Sequence, residues 1–183
     1  MSRLPLPPIE KLTPRQKEVH DAILAGPRGL GVGPLAVWLY SPDLADRAQK
    51  LGEYVRFNTA LEPRLSEMAI LLVGRHWDCQ FEWYAHEPIA ERQGLARSVI
   101  ESLRIGKRPD GMKPDEEAVY DFAAEFFRTH KVSDKAYGAA RKAFGEKGVV
   151  DLIGILGYYT LAAITLNASE TLPPGEPPLK PRA

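Results

Sequence analysis

The sequence predicts an all-α fold, a helical bundle, and three observations carry that reading. Proline opens one apolar-periodic segment after another, at Pro14, Pro42, Pro63 and Pro114, where its fixed φ suits the first helical turn. Glycine closes others, at Gly26, Gly94, Gly106 and Gly145. No segment sustains the apolar–polar alternation of a half-buried strand, and neither an internal repeat nor a heptad seam is visible.

Taken in order, Thr13-Pro14 is an N-cap with proline at the next position, and Gly26-Pro27 ends that helix. Residues 27–34 are rich in Gly and Pro. They make no phosphate loop, because Gly29, Gly31 and Gly33 lack the Lys-Ser/Thr of that motif and follow no strand. A short apolar piece leads to Ser41-Pro42, a second start, with helix to about Ala60. Pro63 opens a helix through Leu65, Met68, Leu71, Leu72 and Val73. Between Gly74 and Asp78 the chain is expected to bend, with Asp78 as the cap of a new helix and Cys79 at its first position. That helix runs to about Gln93, and a short one follows over residues 95–105. Pro114-Asp115-Glu116-Glu117 is an acidic first turn that complements the helix dipole, for a helix to about Thr129. Ser133 caps the next helix, which stops at Gly145. Residues 149–166 are almost wholly apolar. Their glycines, tyrosines and threonines suit a central bundle helix, or one buried between subunits, better than a membrane span.

At 183 residues and 20.3 kDa the chain suits one domain, residues 13–170, with a short N-terminal extension (1–12) and a Pro-rich tail (171–183) expected to be mobile. Lys+Arg and Asp+Glu are both 24, so bulk charge gives no reason to expect nucleic acid as a partner. A single cysteine excludes an intrachain disulfide and multi-cysteine metal sites, and suits a reducing cytoplasm. With no signal peptide evident at the N-terminus, the expected localisation is cytoplasmic.

The chemistry is concentrated in Arg75-His76-Trp77-Asp78-Cys79-Gln80-Phe81-Glu82-Trp83-Tyr84-Ala85-His86, with Glu67 upstream. On a helix Cys79, Glu82 and His86 stand at i, i+3 and i+7 and share one face. A thiol, a carboxylate and an imidazole on one stripe form a candidate acid–base site. An imidazole exchanges protons near neutrality, and Glu82, one turn earlier, can hold one ring nitrogen and set the tautomer. On a straight helix Glu67 would lie roughly 18 Å along the axis from Cys79, so only the bend brings it to the same site. Arg75 is the nearest candidate for binding a substrate carboxylate, with Arg56 and Arg64 as others. Trp77 and Trp83 are candidate pocket walls. No third ligand accompanies Glu82 and His86, so no metal is expected, and no other cofactor is expected where a conjugated carbonyl of the substrate serves as the electron sink.

The order Arg64-Leu65-Ser66-Glu67-Met68-Ala69-Ile70-Leu71, Cys79-x-x-Glu82-Trp83-x-x-His86, Ala90-x-x-x-Gly94-Leu95 and Gly154-x-x-Gly157-Tyr158-Tyr159 resembles the carboxymuconolactone decarboxylase family, which includes the alkylhydroperoxidase D-like proteins. The resemblance covers roughly residues 30–168, and its specific part is Glu67 with Cys79 to His86. It implies an all-α fold, a homo-oligomer of three or six chains, and a small-molecule substrate. It also implies one of two chemistries: decarboxylation of a small carboxylated lactone, or peroxide reduction by a Cys-x-x-Cys pair with a histidine and an upstream glutamate. Here Glu82 stands where the second cysteine would be, so internal disulfide cycling is lost. The expected function is therefore cofactor-free acid–base chemistry, a decarboxylation or related lyase or isomerase step on a small carboxylated lactone or enol. His86, Glu82 and Glu67 would be its catalytic groups, and Cys79 a lesser one. The alternatives are a thiol hydroperoxidase using Cys79 with an external reductant, and a non-catalytic helical oligomer that binds a ligand.

Overall fold

The computed structural model describes residues 2–29 and 33–180, and every regular element among them is helical. After a short 3-10 turn at Ile9–Lys11 come α1 (Pro14–Ala25), α2 (Pro34–Trp38), α3 (Pro42–Phe57), α4 (Pro63–His76), α5 (Gln80–Arg92), α6 (Arg97–Arg104), α7 (Pro114–Thr129) and α8 (Asp134–Ala168). The starts follow the expected chemistry. Thr13 caps α1 in a reciprocal box with Gln16, and the Ser133 hydroxyl accepts from the Ala136 N–H at the start of α8. Gly31 and the rest of residues 30–32 lie outside the described residues.

The central helix is α4, not the apolar last helix. It is buried from Arg64 to Arg75 because α5, α7 and α8 pack around it. Even its charges are absorbed: Arg64 pairs with Asp115 at 2.6 Å and with Glu116, both in the first turn of α7. The last helix, α8, is interrupted at Gly145 (φ 68°, ψ 178°), where only glycine is relaxed. Beyond that break Leu152, Ile155, Tyr159, Ala163 and Leu166 face the core, while Val150, Ile153, Leu161 and Ile164 stay exposed. By length and composition α8 could cross a membrane, but 56% of its most apolar window is buried within the fold. Asp151 on its inner side ties it to the end of α3, accepting from Tyr54 Oη (2.8 Å) and the Ala60 N–H (2.7 Å), with Lys147 Nζ at 2.8 Å. Burial works against this carboxylate, and those three partners outweigh it, holding its pKa below the ordinary range.

Two expectations are corrected by the packing. Helix α3 ends at Phe57, short of Ala60, whose N–H is taken by Asp151. The tail, expected to be mobile, lies against the bundle as far as Lys180. Leu179 is buried, and its backbone N–H and C=O are both matched by the side-chain amide of Gln80 (2.8 and 2.9 Å). Arg104 and Arg75 donate to the Pro178 and Lys180 carbonyls. Prolines leave the segment few N–H groups to satisfy, so three side chains suffice to hold it.

Candidate active site

The site is made by the reversal between α4 and α5. Trp77 ends α4, Asp78 takes a positive φ of 48°, and Cys79 becomes the N-cap of α5. The bend is therefore one residue later than the sequence spacing suggests, because Asp78 supplies the left-handed turn instead of the cap, a role that Asp tolerates. The reversal folds α5 back along α4, and Glu67 meets His86. Oε2 of Glu67 lies 2.7 Å from Nδ1 of His86, and both side chains are buried. On the other side of the ring Glu82 Oε2 is 3.5 Å from Nε2. The Tyr159 ring meets the imidazole edge-on at 5.1 Å between centroids.

The imidazole thus stands between two carboxyl groups, with the closer one on a different helix. The sequence reading placed Glu82 on the ring nitrogen; in the structure the closer carboxylate is that of Glu67. An ionised Glu67 can only accept, so His86 donates from Nδ1, and Nε2 faces Glu82. Burial pushes the Glu82 carboxyl above the ordinary range, and His86, Arg28 and Arg56 pull it back without cancelling that effect. Burial thus disfavours the Glu82 anion at a position 3.5 Å from Nε2.

A cavity of about 110 Å³ opens onto this group. Glu82 and His86 line it, together with Arg28, Arg56, Tyr158 and Tyr159, and Phe81, Ala85 and Leu35 add apolar wall. Glu67 sits behind His86 and does not reach the cavity. The Arg28 guanidinium donates to Tyr158 Oη at 2.5 Å and lies over that ring, 5.5 Å from its centroid. This crossing is possible because α3 has glycine at position 52: a Cβ there would lie 1.8 Å from Arg28 Nη1 and 2.1 Å from Tyr158 Oη.

The other predicted residues fall elsewhere. Cys79 is fully buried and does not line the cavity, since the cap position precedes the helical face it was expected to share. Burial, and secondarily the Glu82 charge, push its thiol up to about 12, although two backbone N–H groups act the other way. Arg75 lies 3.3 Å from Asp78 and donates to the Lys180 carbonyl. It borders a separate groove of about 980 Å³ between α4, α6, α7 and the tail. Trp83 is fully buried on the far side of α5, its indole N–H donating to Glu87 (2.9 Å) under the Arg104 guanidinium. Trp77 is 38% exposed and donates to Thr160 Oγ1. Of the three arginines weighed for a carboxylate, only Arg56 faces the cavity. Arg28, Tyr158 and Tyr159 were not singled out as site residues. The available signals were a glycine in mid-helix, which normally needs a packing reason, and two tyrosines in an otherwise apolar helix. Among the described residues no group of three or more His, Cys, Asp or Glu is placed to hold a metal ion.

No protein-family model matches this chain, and no curated protein matches it. Solved structures do. An uncharacterized peroxidase-related protein with the alkylhydroperoxidase AhpD core, from Ralstonia eutropha JMP134, superposes with a TM-score of 0.75 at 18% identity, over 94% of this chain and 92% of that one. An uncharacterized peroxidase-related protein from Silicibacter sp. TM1040 gives 0.74 at 15% identity, over 96% and 93%. A protein of unknown function from Agrobacterium tumefaciens, named after the antioxidant defence protein AhpD, gives 0.67 at 18% identity, over 76% and 96%. These likenesses define the class: the chain has the all-helical alkylhydroperoxidase D-like core fold. At such identities they carry the fold and not the reaction.

Proposed function

We propose that this protein is an acid–base enzyme that moves protons on a small carbonyl compound, by decarboxylation or a related lyase or isomerase step, with His86 as the proton carrier. One observation carries the reading: His86 is hydrogen-bonded to Glu67 through Nδ1, its Nε2 lies 3.5 Å from Glu82, and His86 and Glu82 both line a cavity of small-molecule size. Glu67 fixes the ring and stabilises the imidazolium when it forms. In a decarboxylation, the electron pair of the breaking C–C bond passes into the conjugated carbonyl and carbon dioxide leaves. The resulting enolate carbon then takes a proton from the His86–Glu82 pair, which solvent restores. The substrate's own carbonyl is the electron sink, so the residues need only hold it and supply the proton.

A thiol hydroperoxidase is the second reading, and the peroxidase-related names of the structural neighbours favour it. Against it stand the burial of Cys79, its thiol held protonated at neutral pH, and the glutamate at the second cysteine position.

The two are separated by paired assays on wild type, His86→Gln and Cys79→Ser. One assay follows deuterium uptake from heavy water, and loss of carbon dioxide, in small oxo acids and lactone carboxylates. The other follows reduction of cumene hydroperoxide with dithiothreitol. The proposal expects proton exchange that His86→Gln abolishes and Cys79→Ser preserves. Peroxide reduction that needs Cys79, without any exchange activity, replaces it with the second reading.

A further inference from the structure

Arg28 Nε and the Tyr159 hydroxyl are buried side-chain atoms without a hydrogen-bond partner among the described residues. Both residues line the His86 cavity. An orphaned buried donor is costly, so a site that keeps two of them on residues lining one cavity is shaped for a polar occupant. Tyr159 is only 2% exposed, and burial beside Glu82 and Glu67 keeps its phenol protonated, so the hydroxyl is a donor waiting for an acceptor. Arg56 lines the same cavity, and neither it nor Arg28 takes part in an ion pair among the described residues; the Arg56 guanidinium lies over the Phe57 ring. The wall thus carries two guanidinium charges against the single carboxyl group of Glu82. The volume sets the size. A cavity of about 150 Å³ accommodates benzene, so about 110 Å³ suits a compact compound of about six non-hydrogen atoms at most.

We infer that the cavity recognises a small monocarboxylic oxo acid, its carboxylate taken by Arg28 and Arg56 and its oxo oxygen by the Tyr159 hydroxyl. The inference rests on the acid–base reading for what happens next, and supplies the substrate class that reading lacks. The carboxylate on the arginines turns the carbon next to the oxo group toward His86. The Tyr159 hydroxyl then faces the oxygen on which negative charge develops as the enolate forms.

The test measures binding apart from turnover. Isothermal titration calorimetry follows a panel of three- to five-carbon 2-oxo and 3-oxo acids and their neutral methyl esters, on wild type, Arg56→Gln, Arg28→Gln, Tyr159→Phe and His86→Gln. The expected result is at least one acid bound tenfold or more tightly than its ester. That preference should disappear in Arg56→Gln and Arg28→Gln, weaken with added salt, and persist in His86→Gln. Tyr159→Phe should weaken acid and ester alike. Arg56→Gln is the safeguard against misfolding, since the Arg56 guanidinium lies over the ring of the neighbouring Phe57 whereas Arg28 is bonded to the buried Tyr158. Esters binding as well as acids, Arg56→Gln leaving acid affinity unchanged, or no binding across the panel would each overturn the inference. Arginine-dependent acid binding without proton exchange would leave this inference standing and remove the proposed function. Turnover of the esters that depends on His86, with no preference for acids, would do the reverse.

Discussion

His86 on α5 is joined to Glu67 on α4 through Nδ1 and Oε2, 2.7 Å apart, and both side chains are closed off from solvent. The contact spans the α4–α5 reversal, so the same pair that orients the imidazole also pins the two helices together. If the ring moves protons, replacing His86 by Gln should lower turnover by about a hundredfold or more. Glu67→Gln should also cost activity, on the order of a hundredfold, because an amide can face Nδ1 with either its oxygen or its nitrogen and so permits the wrong tautomer. Circular dichroism on both variants verifies folding before the assay. Activity retained in Glu67→Gln would remove Glu67 from the mechanism and leave it a structural tie.

Glu82 gives a pH prediction with a definite sign. Burial raises its folded pKa above the ordinary value of 4.5, so the folded protein holds this proton more tightly than the unfolded chain does. Its contribution to stability is complete below that ordinary value and is lost as pH rises from there through the folded pKa. Glu82→Gln cannot ionise and should lose less stability than wild type on going from about pH 5 to about pH 8. Urea midpoints at the two pH values measure this, and equal losses in the two proteins would contradict it. The variant should nonetheless be impaired in turnover, since an amide cannot supply a proton beside Nε2.

Much of this architecture is written locally in the chain. The cap and proline at Thr13-Pro14, the acidic first turn after Pro114 and the stop at Gly145 each need only a few neighbouring residues, and each is found where the spacing puts it. The bend that brings Glu67 back is also local, a short reversal displaced by one residue. What depends on packing was not legible. Helical periodicity says that Trp83 is buried without saying which helix it meets, and it faces Arg104 instead of the cavity. Arg28 reaches the site from a Gly/Pro-rich loop only because α3 and α8 cross at Gly52, a contact between distant parts of the sequence. The tail looked mobile by composition, yet Gln80, Arg104 and Arg75 bond its backbone between Pro178 and Lys180.

That crossing yields its own test. Alanine at position 52 would gain roughly 1 kcal/mol in intrinsic helix propensity over glycine, but its Cβ would fall 1.8 Å from Arg28 Nη1. The arginine must move, and the tyrosine with it. Gly52→Ala should therefore keep a helical spectrum and lose activity and acid binding together. A variant with unchanged affinity for small acids would show that the Arg28 position is not required.

Cys79 should behave as a core residue. With its thiol pushed up to about 12 and no exposure, the native protein should react with a thiol reagent near neutral pH far more slowly than the urea-unfolded chain. Cys79→Ser should retain most of its turnover and lose some thermal stability, because a hydroxyl replaces a buried sulfur packed against apolar neighbours. Rapid labelling of the folded protein would reopen the peroxidase reading.

The last prediction concerns association. Val150, Ile153, Leu161 and Ile164 form an exposed stripe along α8, at 66%, 52%, 37% and 46% exposure, and a Cβ built on Gly157 in their midst would meet nothing within 4 Å. The spacing places all five on one helical face, and the glycine lets another backbone approach closely. A contiguous apolar stripe on a helix whose opposite side already fills the core is the surface expected of a subunit contact. The chain should therefore sediment as an oligomer at micromolar concentration, and Ile153→Glu should shift it toward monomer without loss of helical content, since Ile153 is 52% exposed in the single chain. A wild-type monomer in sedimentation equilibrium would remove α8 as a subunit interface. A variant that stayed associated would move the contact to another face.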